Sequence, residues 1–391
     1  MYNAKENKTM IKLAKQYQNA PATPLGKAAT LTGDIDSLIN LSLGDPDQIT
    51  NEMVIQASLE DAKNGHTKYT HALGDPELRS ALKNHFQSEY GVSVETNEMM
   101  MVVGAGHGMY LALKSILNPG DEVLVPSPYY PPYPQQVELN QGIPVSVPTV
   151  KGNQFHITVE ALQKAFTSKT RAIMLNNPNN PTGASLTKEE LTQIVSFARE
   201  NKLIILSDEV YRGFSFDKEF TPIYQIEGAR ECAVVFGSFS KDYAMTGWRI
   251  GYAFGPKHVI DCMRELNEGI CFTTSSVSQR AALHALVHHE EILPSLRKVY
   301  QARVDYVYRR VQSIPGLSLN KPEGTFYLFV DIKDTGLSSE EFCDKAMDQA
   351  RVLMLPGTAF GESGQGYVRI ACTVDIPVLE EAFDRLEQLN Y

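Results

Sequence analysis

Short apolar runs alternate with amphipathic stretches through the middle of the chain, from about residue 99 to residue 255. Each run ends in glycine or polar residues, and the stretches between the runs carry apolar residues at helical spacing. A strand followed by a helix, repeated several times, is typical of a mainly parallel sheet that helices cover on both faces. The runs that we interpret as strands are Met99–Val103, Glu122–Val125, Ala172–Leu175, Leu203–Leu206 and Ala233–Phe236.

Two predicted helices begin with recognisable capping residues. Thr187 and Glu190 have the spacing of a capping box, which predicts a helix at Lys188–Asn201. Asp75 precedes Pro76, a residue suited to the first position of a helix, so we predict Asp75 as an N-cap. Ligands of such α/β sheets bind at the carboxyl ends of the strands, so residues just after the strands are the candidates for a functional site.

The pattern changes after about residue 285. A long helical stretch around Leu293–Ile314 is followed by a strand within Gly324–Ile332, a helix, and a final strand and helix. We therefore predict a large α/β domain at residues 48–284 and a smaller α+β domain at residues 285–391. Residues 1–47 would form an N-terminal arm and contribute to the smaller domain.

Composition limits the class of protein. The 391 residues suffice for a large core, and the formal net charge of −10 argues against nonspecific binding to nucleic acid. A small anionic ligand would therefore need local cations. The chain start carries four lysines, which is typical of a short arm, a short helix or a solvated end: Lys5, Lys8, Lys12 and Lys15.

Cysteine count and apolar runs bear on the compartment. The five cysteines are an odd number without CxxC spacing, so we expect neither a disulfide framework nor a metal site. No apolar run approaches the ~20 residues of a membrane span, and the first residues carry charges where a signal peptide would be apolar. We therefore expect a soluble cytoplasmic protein.

The stretch SFSKDYAMTGWRIGY, residues 238–252, carries a candidate reactive lysine. Lys241 follows a predicted buried strand, which would bring its amine out at the strand end. Ser238 and Ser240 can donate hydrogen bonds to a phosphate, and Arg249 offers a planar fork for phosphate oxygens. A lone lysine is more often simply solvated, but these neighbours favour a ligand that carries a phosphate.

This stretch resembles the cofactor-lysine motif of class I/II aminotransferases, enzymes of the aspartate aminotransferase fold, or fold type I. The resemblance extends over roughly residues 40–372. It implies an α/β fold with a seven-stranded, mainly parallel sheet flanked by helices, and a smaller α+β domain. It also implies that pyridoxal 5'-phosphate is bound covalently to Lys241. The implied reaction moves an amino group between an L-amino acid and a 2-oxo acid by a ping-pong mechanism.

Further positions match the residues with which this family binds the cofactor ring. Asp208, in the motif SDEVY, would pair with the pyridine nitrogen and keep it protonated, so that the ring can accept electrons. Tyr211 and Asn180 would reach the phenolic oxygen, with Lys241, Asp208 and Tyr211 as the catalytic set. Tyr130 would stack on the ring, and Tyr129 is the alternative.

The glycine-rich turn Gly104–Met109 is a second candidate phosphate site. It is not a dinucleotide fingerprint, because the third glycine of GxGxxG would fall at Met109. A helix that starts here still offers free backbone N–H groups to one phosphate, although a ligand-free tight turn is the alternative. These N–H groups would come from Ala105, Gly106 and His107, whose side chain we leave without a role.

The substrate and a second subunit are implied by the resemblance. Arg369 lies in an alternating segment typical of a strand, and it matches the family residue that binds the substrate α-carboxylate; a structural ion pair is the alternative. Gly44 and Asn180 would also lie beside the substrate, although Gly44 on its own indicates a plain turn. Tyr69 matches the tyrosine that reaches the phosphate of the neighbouring subunit, which implies a homodimer.

Two other functions use the same cofactor. A C–S or β-lyase or a related synthase would eliminate from Cβ or Cγ, and a noncatalytic module would only bind the cofactor for regulation. The sequence MTGWR after Lys241 resembles transaminases more closely than lyases. Ala244 departs slightly from the family pattern, and the contacts of residues 271–279 stay open. We expect Glu209 and Arg212 to serve structure or solvent.

Overall fold

The structure of the protein, a computed structural model, describes residues 13, 14, 26 and 37–390. The four lysines of the predicted arm lie outside the described residues. Between residues 37 and 390 the chain forms twelve strands: β1 (Ile39–Asn40), β2 (Met99–Val102), β3 (Glu122–Ser127), β4 (Ile143–Pro148), β5 (Thr170–Asn176), β6 (Ile204–Asp208), β7 (Ala233–Ser238), β8 (Gly251–Phe254), β9 (Tyr327–Asp331), β10 (Val352–Leu353), β11 (Leu355–Pro356) and β12 (Tyr367–Ala371).

Helices separate most of these strands. Over the same residues they are α1 (Glu52–Lys63), α2 (Pro76–Tyr90), α3 (Gly104–Ile116), α4 (Pro132–Leu139), α5 (Val159–Ala165), α6 (Lys188–Glu200), α7 (Ala229–Cys232), α8 (Phe239–Asp242), α9 (Lys257–Glu268), α10 (Ser276–Val287), α11 (His289–Ser313), α12 (Ser339–Lys345) and α13 (Ile376–Leu386).

Seven strands form the main sheet, in the order β2-β8-β7-β6-β5-β3-β4. Four of the six neighbouring pairs are parallel, and β8 runs antiparallel to both of its neighbours. The predicted α/β fold with a mainly parallel seven-stranded sheet is thereby confirmed. Because β5, β6 and β7 are parallel neighbours, their carboxyl ends meet at one edge of the sheet.

All five predicted strands are present, and two strands of the main sheet were not predicted. Strand β4 lies at the edge, and most of its residues are exposed or half-buried, so it lacks a continuous apolar run. Strand β8 has only four residues and begins with Gly251. Short strands with a glycine carry little of the pattern on which the prediction depends.

The sheet buries both of its faces, as the apolar strands require. On β7, Val234 and Phe236 belong to the same apolar cluster as Met109 of α3, on one face. Val235 points to the other face and belongs to the cluster that contains Leu191 of α6. Alternate residues of one strand thus pack on helices from opposite sides.

The predicted caps are confirmed. Asp75 accepts a hydrogen bond from the Glu77 N–H at 2.9 Å, and Pro76 is the first helical residue. At the start of α6, Thr187 and Glu190 form both hydrogen bonds of a capping box, at 3.2 and 2.8 Å. The predicted long helix at 293–314 exists as α11 and begins four residues earlier, at His289.

The C-terminal part contains a separate antiparallel sheet of β11, β12 and β9. The N-terminal segment joins this part of the chain, because β1 pairs with β10 in parallel, with Ile39 opposite Val352. We keep the division into residues 1–47, 48–284 and 285–391 as a proposal.

Among the described residues, no helix combines the length and the apolar character of a membrane span. The five cysteines are all free thiols.

Candidate active site

A cavity of about 730 Å³ opens at the carboxyl edge of the main sheet, beside the start of α3. Strands β5, β6 and β7 end in its wall, as the sheet topology predicts. Of the residues predicted for the site, all but His107 and Tyr69 line the cavity: Gly44, Ala105, Gly106, Tyr130, Asn180, Asp208, Tyr211, Ser238, Ser240, Lys241, Arg249 and Arg369.

Lys241 lies on a one-turn helix, α8, rather than directly at a strand end. Strand β7 continues to Ser238, whose hydroxyl oxygen caps α8 by accepting from the Ser240 N–H at 3.1 Å. The Lys241 Nζ donates to the carbonyl oxygen of Gly44 at 2.5 Å. The turn of α8 thus aims the amine across the cavity at the loop that follows β1.

The surroundings of Lys241 disfavour its charged form. Burial lowers the pKa of Lys241 to about 8, with Asp45 opposing the change and the nearby Arg249 and Arg369 adding to it. An amine with this pKa is partly neutral near neutral pH, and only a neutral amine can attack a carbonyl carbon.

Asp208 is the last residue of β6 and is buried at the cavity wall. Its Oδ1 accepts from the Val210 N–H at 3.2 Å, and its Oδ2 accepts from the Tyr133 hydroxyl at 2.6 Å. Burial raises the pKa of Asp208 to about 6, against the opposing effect of these two hydrogen bonds. The carboxylate is therefore ionised above about pH 6 and can hold a positive group in the cavity.

Tyr133 is a site residue that the sequence prediction missed. The side chain is fully buried, lines the cavity and holds Asp208. The prediction treated the run PSPYYPPY as a source of one stacking ring and weighed only Tyr129 and Tyr130. A buried tyrosine hydroxyl needs a polar partner, but the partner lies 75 residues away in sequence, and only the fold identifies it.

Arg369 is buried in β12 and forms no ion pair with any described residue. Its Nη1 donates to Asn180 Oδ1 at 3.0 Å, and its Nη2 donates to the Ser42 carbonyl oxygen. The guanidinium lies over the rings of Tyr327 and Phe360, 4.3 and 4.8 Å from their centres. Its Nε is buried without a hydrogen-bond partner. A buried guanidinium with a spare donor, next to a cavity, is suited to binding an anion.

The start of α3 forms one end of the cavity. Ala105 and Gly106 lie in the first helical turn, where backbone N–H groups have no partner within the helix. Gly104 has φ +74°, and a Cβ there would come 2.5 Å from Nη2 of Arg249, so the guanidinium packs directly on the turn. Free N–H groups and a cation together favour a phosphate.

His107 contributes no side chain to the cavity. Its Nδ1 accepts from the Val103 N–H at 3.2 Å, which turns the ring away from the cavity and leaves only its backbone N–H available. The two serines are buried at the same end, and Ser238 donates to Ser240 at 2.8 Å. Arg249 is exposed and donates to the Thr246 carbonyl oxygen at 2.8 Å.

Of the two candidate stacking residues, Tyr130 lies on the cavity wall and Tyr129 does not. The Tyr130 ring packs edge-on against Tyr133, with ring centres 5.4 Å apart. Tyr129 instead lies against Gly361, and its N–H donates to the Phe360 carbonyl oxygen at 2.9 Å.

Tyr211 also lines the cavity, and its hydroxyl lies 3.0 Å from that of Tyr327, a contact that sequence reasoning missed. Burial raises the pKa of Tyr211 well above its ordinary value, so its hydroxyl stays protonated and can donate.

Several residues lie away from the cavity. Tyr69 is 81% exposed and packs edge-on against Phe272, with ring centres 5.0 Å apart. Arg212, for which solvent was one expectation, is buried; it forms an ion pair of 3.3 Å with Asp242 and lies over the ring of Phe86. The expectation of a structural role is therefore the correct one for Arg212.

The residues 271–279 and Glu209 also serve structure. Gln279 accepts from the Asp75 N–H at 2.6 Å, which ties the start of α10 to the start of α2. Glu209 is buried and accepts from the Ile223 N–H at 3.0 Å. Burial raises its pKa to about 7.

The donor set fits pyridoxal phosphate. An amine, a buried carboxylate and a helix start suited to a phosphate share one cavity, and Arg369, a buried guanidinium whose Nε has no hydrogen-bond partner, also lines it. The family model described as "Aminotransferase class I and II" matches residues 36–386. The chain therefore belongs to the class I and II aminotransferases.

Named relatives agree with this assignment. The chain is 37% identical to aromatic-amino-acid aminotransferase 2 of Thermococcus litoralis, over 96% of this chain and 98% of the relative. It is 35% identical to an aspartate aminotransferase of Bacillus sp., over 94% of this chain and 96% of the relative. Among solved structures, an aspartate aminotransferase from Thermus thermophilus with maleate has a TM-score of 0.91 and 32% identity, covering 97% of this chain and 100% of that one.

The protein is a pyridoxal-phosphate-dependent transaminase of fold type I. Its substrates are an amino acid and an oxo acid. Neither the lyase nor the noncatalytic module is favoured by these relatives.

Proposed function

We propose that the cavity residues carry the transamination, with Lys241 and Asp208 as its chemical centre. The observation that supports this most strongly is that Lys241, Asp208 and Arg369 line one cavity, and that Arg369 keeps one donor, Nε, without a hydrogen-bond partner. When bound, pyridoxal phosphate supplies an aldehyde for an amino group and a ring that accepts the electrons of the substrate Cα–H bond.

Lys241 would hold the cofactor covalently and, once its amine is free, move a proton at Nζ. A pKa of about 8 suits both tasks, because the amine can be neutral or charged near neutral pH. The Gly44 carbonyl oxygen, which accepts from Nζ at 2.5 Å, gives the free amine a fixed position.

Asp208 would hold the proton on the pyridine nitrogen. Asn180 and Tyr211 would donate to the phenolic oxygen, and Tyr130 would pack on the ring face. At pH 7 Asp208 is mostly ionised, since its pKa is about 6. Tyr133 orients the carboxylate by donating to its Oδ2 at 2.6 Å.

The phosphate would be held by Arg249, Ser238 and Ser240 and by the first N–H groups of α3. These groups come from Ala105, Gly106 and, through its backbone alone, His107. A phosphate carries about −1.5 to −2 charges, so the cation and the helix dipole both favour it.

Arg369 would bind the α-carboxylate of the substrate, beside Gly44 and Asn180. Among the described residues, three cations line the cavity, namely Lys241, Arg249 and Arg369. With the first two engaged by the cofactor, this part of the chain forms one carboxylate site. A second substrate carboxylate would need a cation from a partner subunit or from outside the described residues.

We place the enzyme in the cytoplasm as a homodimer, with Tyr69 reaching the phosphate of the neighbouring subunit. Five free thiols suit a reducing compartment. Tyr69 and Phe272 form an exposed aromatic pair, and Ile270, two residues before Phe272, is also exposed, which suits a subunit interface.

The proposed function is tested with a panel of amino donors, aspartate, phenylalanine, tyrosine, alanine and asparagine, against 2-oxoglutarate and pyruvate. We expect amine transfer to an acceptor in a ping-pong pattern, with no net release of ammonia. Ammonia release without an acceptor would contradict the proposal. The order of kcat/KM across the panel identifies the donor, and the panel is run with Lys241→Ala as the inactive control.

A further inference from the structure

We propose that the ion pair between Asp47 and Arg303 is a positioning pair for the substrate end of the active site. The loop at residues 42–48, named the GDPD loop after its central sequence, joins β1 to the start of α1. The ion pair would fix this loop so that its carbonyl oxygens stay beside Arg369 and Lys241. The inference rests on the proposed roles of those two residues.

The first half of the GDPD loop touches both functional cations. Its Ser42 carbonyl oxygen accepts from Arg369 Nη2, and its Gly44 carbonyl oxygen accepts from Lys241 Nζ at 2.5 Å. Between them, the Leu43 carbonyl oxygen accepts from Thr373 Oγ1 at 2.8 Å. A displacement of this short stretch would therefore move the acceptors of the carboxylate-binding arginine and of the lysine together.

Gly44 couples the loop to Arg369 a second time. A Cβ at Gly44 would lie 1.6 Å from the hydroxyl oxygen of Tyr327, so the loop backbone packs directly on this side chain. The Arg369 guanidinium lies over the same ring, 4.3 Å from its centre. The position of the loop and the position of the guanidinium therefore depend on one aromatic ring.

The second half of the loop is held by the long helix α11. Asp47 pairs with Arg303 through two parallel hydrogen bonds of 2.7 and 2.8 Å, a geometry that fixes orientation as well as distance. Tyr300, one turn earlier, adds a hydrogen bond to Gln48 at 2.5 Å. The Arg303 side chain is only 5% exposed, so the ion pair is shielded from solvent on one side.

Two residues around Asp47 in this part of the chain are exposed. Asp45 and Ile49 are exposed on either side of Asp47, and Ile49 is 86% exposed. Burial acts to raise the pKa of Asp47, but Arg303 outweighs it and the pKa lies below its ordinary value, so Asp47 is charged at neutral pH. Helix α11 thus holds this half of the loop through the charged pair and through the Tyr300 hydroxyl, which also donates to Asp47 Oδ1 at 3.2 Å.

The test compares Asp47→Asn, Arg303→Gln, Arg303→Lys and the Asp47→Asn/Arg303→Gln double variant. Arg303→Lys loses the two parallel hydrogen bonds to Asp47 but keeps the positive charge, and the retained charge favours a folded protein. The matched control is Arg310→Gln on the same helix, because Arg310 pairs with Asp384 and Glu387 and does not line the cavity. Thermal unfolding is measured for each variant.

The probes are two unreactive acids, maleate and 3-phenylpropionate. Their Kd values for the cofactor-loaded protein are read from the change in visible absorbance, beside KM and kcat for an amino donor. Misplacement by about 1 Å can cost ~100-fold at a site, so we expect a roughly tenfold weaker Kd and a roughly tenfold higher KM. Because the Gly44 carbonyl oxygen also positions Lys241, kcat should fall as well. The double variant should resemble the single ones, since the pair acts as a unit.

Wild-type Kd and KM values in both Asp47→Asn and Arg303→Lys would overturn the inference, as would a fall in thermal stability alone, like that of Arg310→Gln. A wild-type protein that binds neither acid would instead overturn the proposed role of Arg369, and the inference with it. Binding by the wild type that weakens in the variants but not in the control supports the positioning role.

Discussion

The hydroxyl of Tyr133 donates to Oδ2 of Asp208 at 2.6 Å, and both side chains are buried. A buried carboxylate is stable as an anion only when donors satisfy its oxygens. Tyr133 supplies one donor, and the Val210 N–H supplies the other. The ionisation of Asp208, which we propose keeps the ring nitrogen of the cofactor protonated, is thus favoured by a residue that need not contact the substrate.

Tyr133→Phe should move the acidic limb of the pH profile of kcat to higher pH. Burial already raises the pKa of Asp208 to about 6, and the Tyr133 hydrogen bond opposes this rise. Such a bond is worth ~1.5 to 3 kcal/mol, so the limb should shift by about one pH unit or more. At pH 9 Tyr133→Phe should recover most of the kcat that it loses at lower pH.

The control for this prediction is Tyr224→Phe, whose hydroxyl donates to the Ala233 carbonyl oxygen at 3.3 Å and does not line the cavity. If the acidic limb of the pH profile of kcat stays unchanged in Tyr133→Phe, Tyr133 has a packing role only.

Arg249→Ala should loosen the cofactor more than Ser238→Ala does. A hydrogen bond with a charged partner contributes ~1.5 to 3 kcal/mol, against ~0.5 to 1.5 for a neutral one. Cofactor retained after gel filtration measures the difference. Ser238 also caps α8, so its variant should lose more thermal stability than Arg249→Ala. Equal cofactor retention in the two variants would count against the assignment of Arg249.

Arg369→Lys should raise KM for the amino donor and leave the cofactor in place. A lysine cannot present the parallel pair of donors that suits a carboxylate. Loss of one charge-assisted bond, ~1.5 to 3 kcal/mol, corresponds to roughly 10- to 150-fold in affinity. Steady-state kinetics measures KM for the amino donor, and the visible absorbance of the bound cofactor measures whether the cofactor is retained. A normal KM together with lost cofactor would be the opposite of this expectation.

His156 should make stability depend on pH. It lies between Glu190 and Glu323, with contacts of 2.8 and 2.7 Å. Burial acts to lower the pKa of His156, but the hydrogen bonds with Glu323 and Glu190 outweigh it and raise the pKa above its ordinary value. The folded protein binds this proton more tightly than the unfolded chain does. The contribution of His156 to the free energy of unfolding is therefore fully present below about pH 6.5 and is lost as the pH rises through the pKa of the folded state.

The measurement for His156 is thermal unfolding between pH 6 and pH 9. The wild type should lose more stability over this range than His156→Gln does, while His258→Gln, which alters an exposed histidine, should follow the wild type. Parallel curves for the wild type and His156→Gln would refute the role of the histidine.

The fold was largely predictable because buried parallel strands are continuous apolar runs. Strands β5, β6 and β7 have this character, and residues at their ends line the cavity. The edge strand β4 and the four-residue β8 do not, since exposure and shortness remove the signal. Their places follow from tertiary pairing and not from local pattern.

Residues that line the cavity were predictable where they lie in motifs that a resemblance can match, such as Lys241 and Asp208. Tyr133 escaped because its role depends on a partner 75 residues away. The pair of Asp47 and Arg303 escaped for the same reason, with 256 residues between its members. Composition gives no information on such contacts, because they exist only after the chain has folded.

The central claim is that Lys241 holds the cofactor, and covalent labelling tests it most directly. Purified protein incubated with pyridoxal phosphate should turn yellow, and borohydride should then fix the cofactor on a single peptide, at Lys241, as read by mass spectrometry. Lys241→Ala should give no label at any position. A colourless wild-type protein, or a label on a different lysine, would contradict the assignment of the active site.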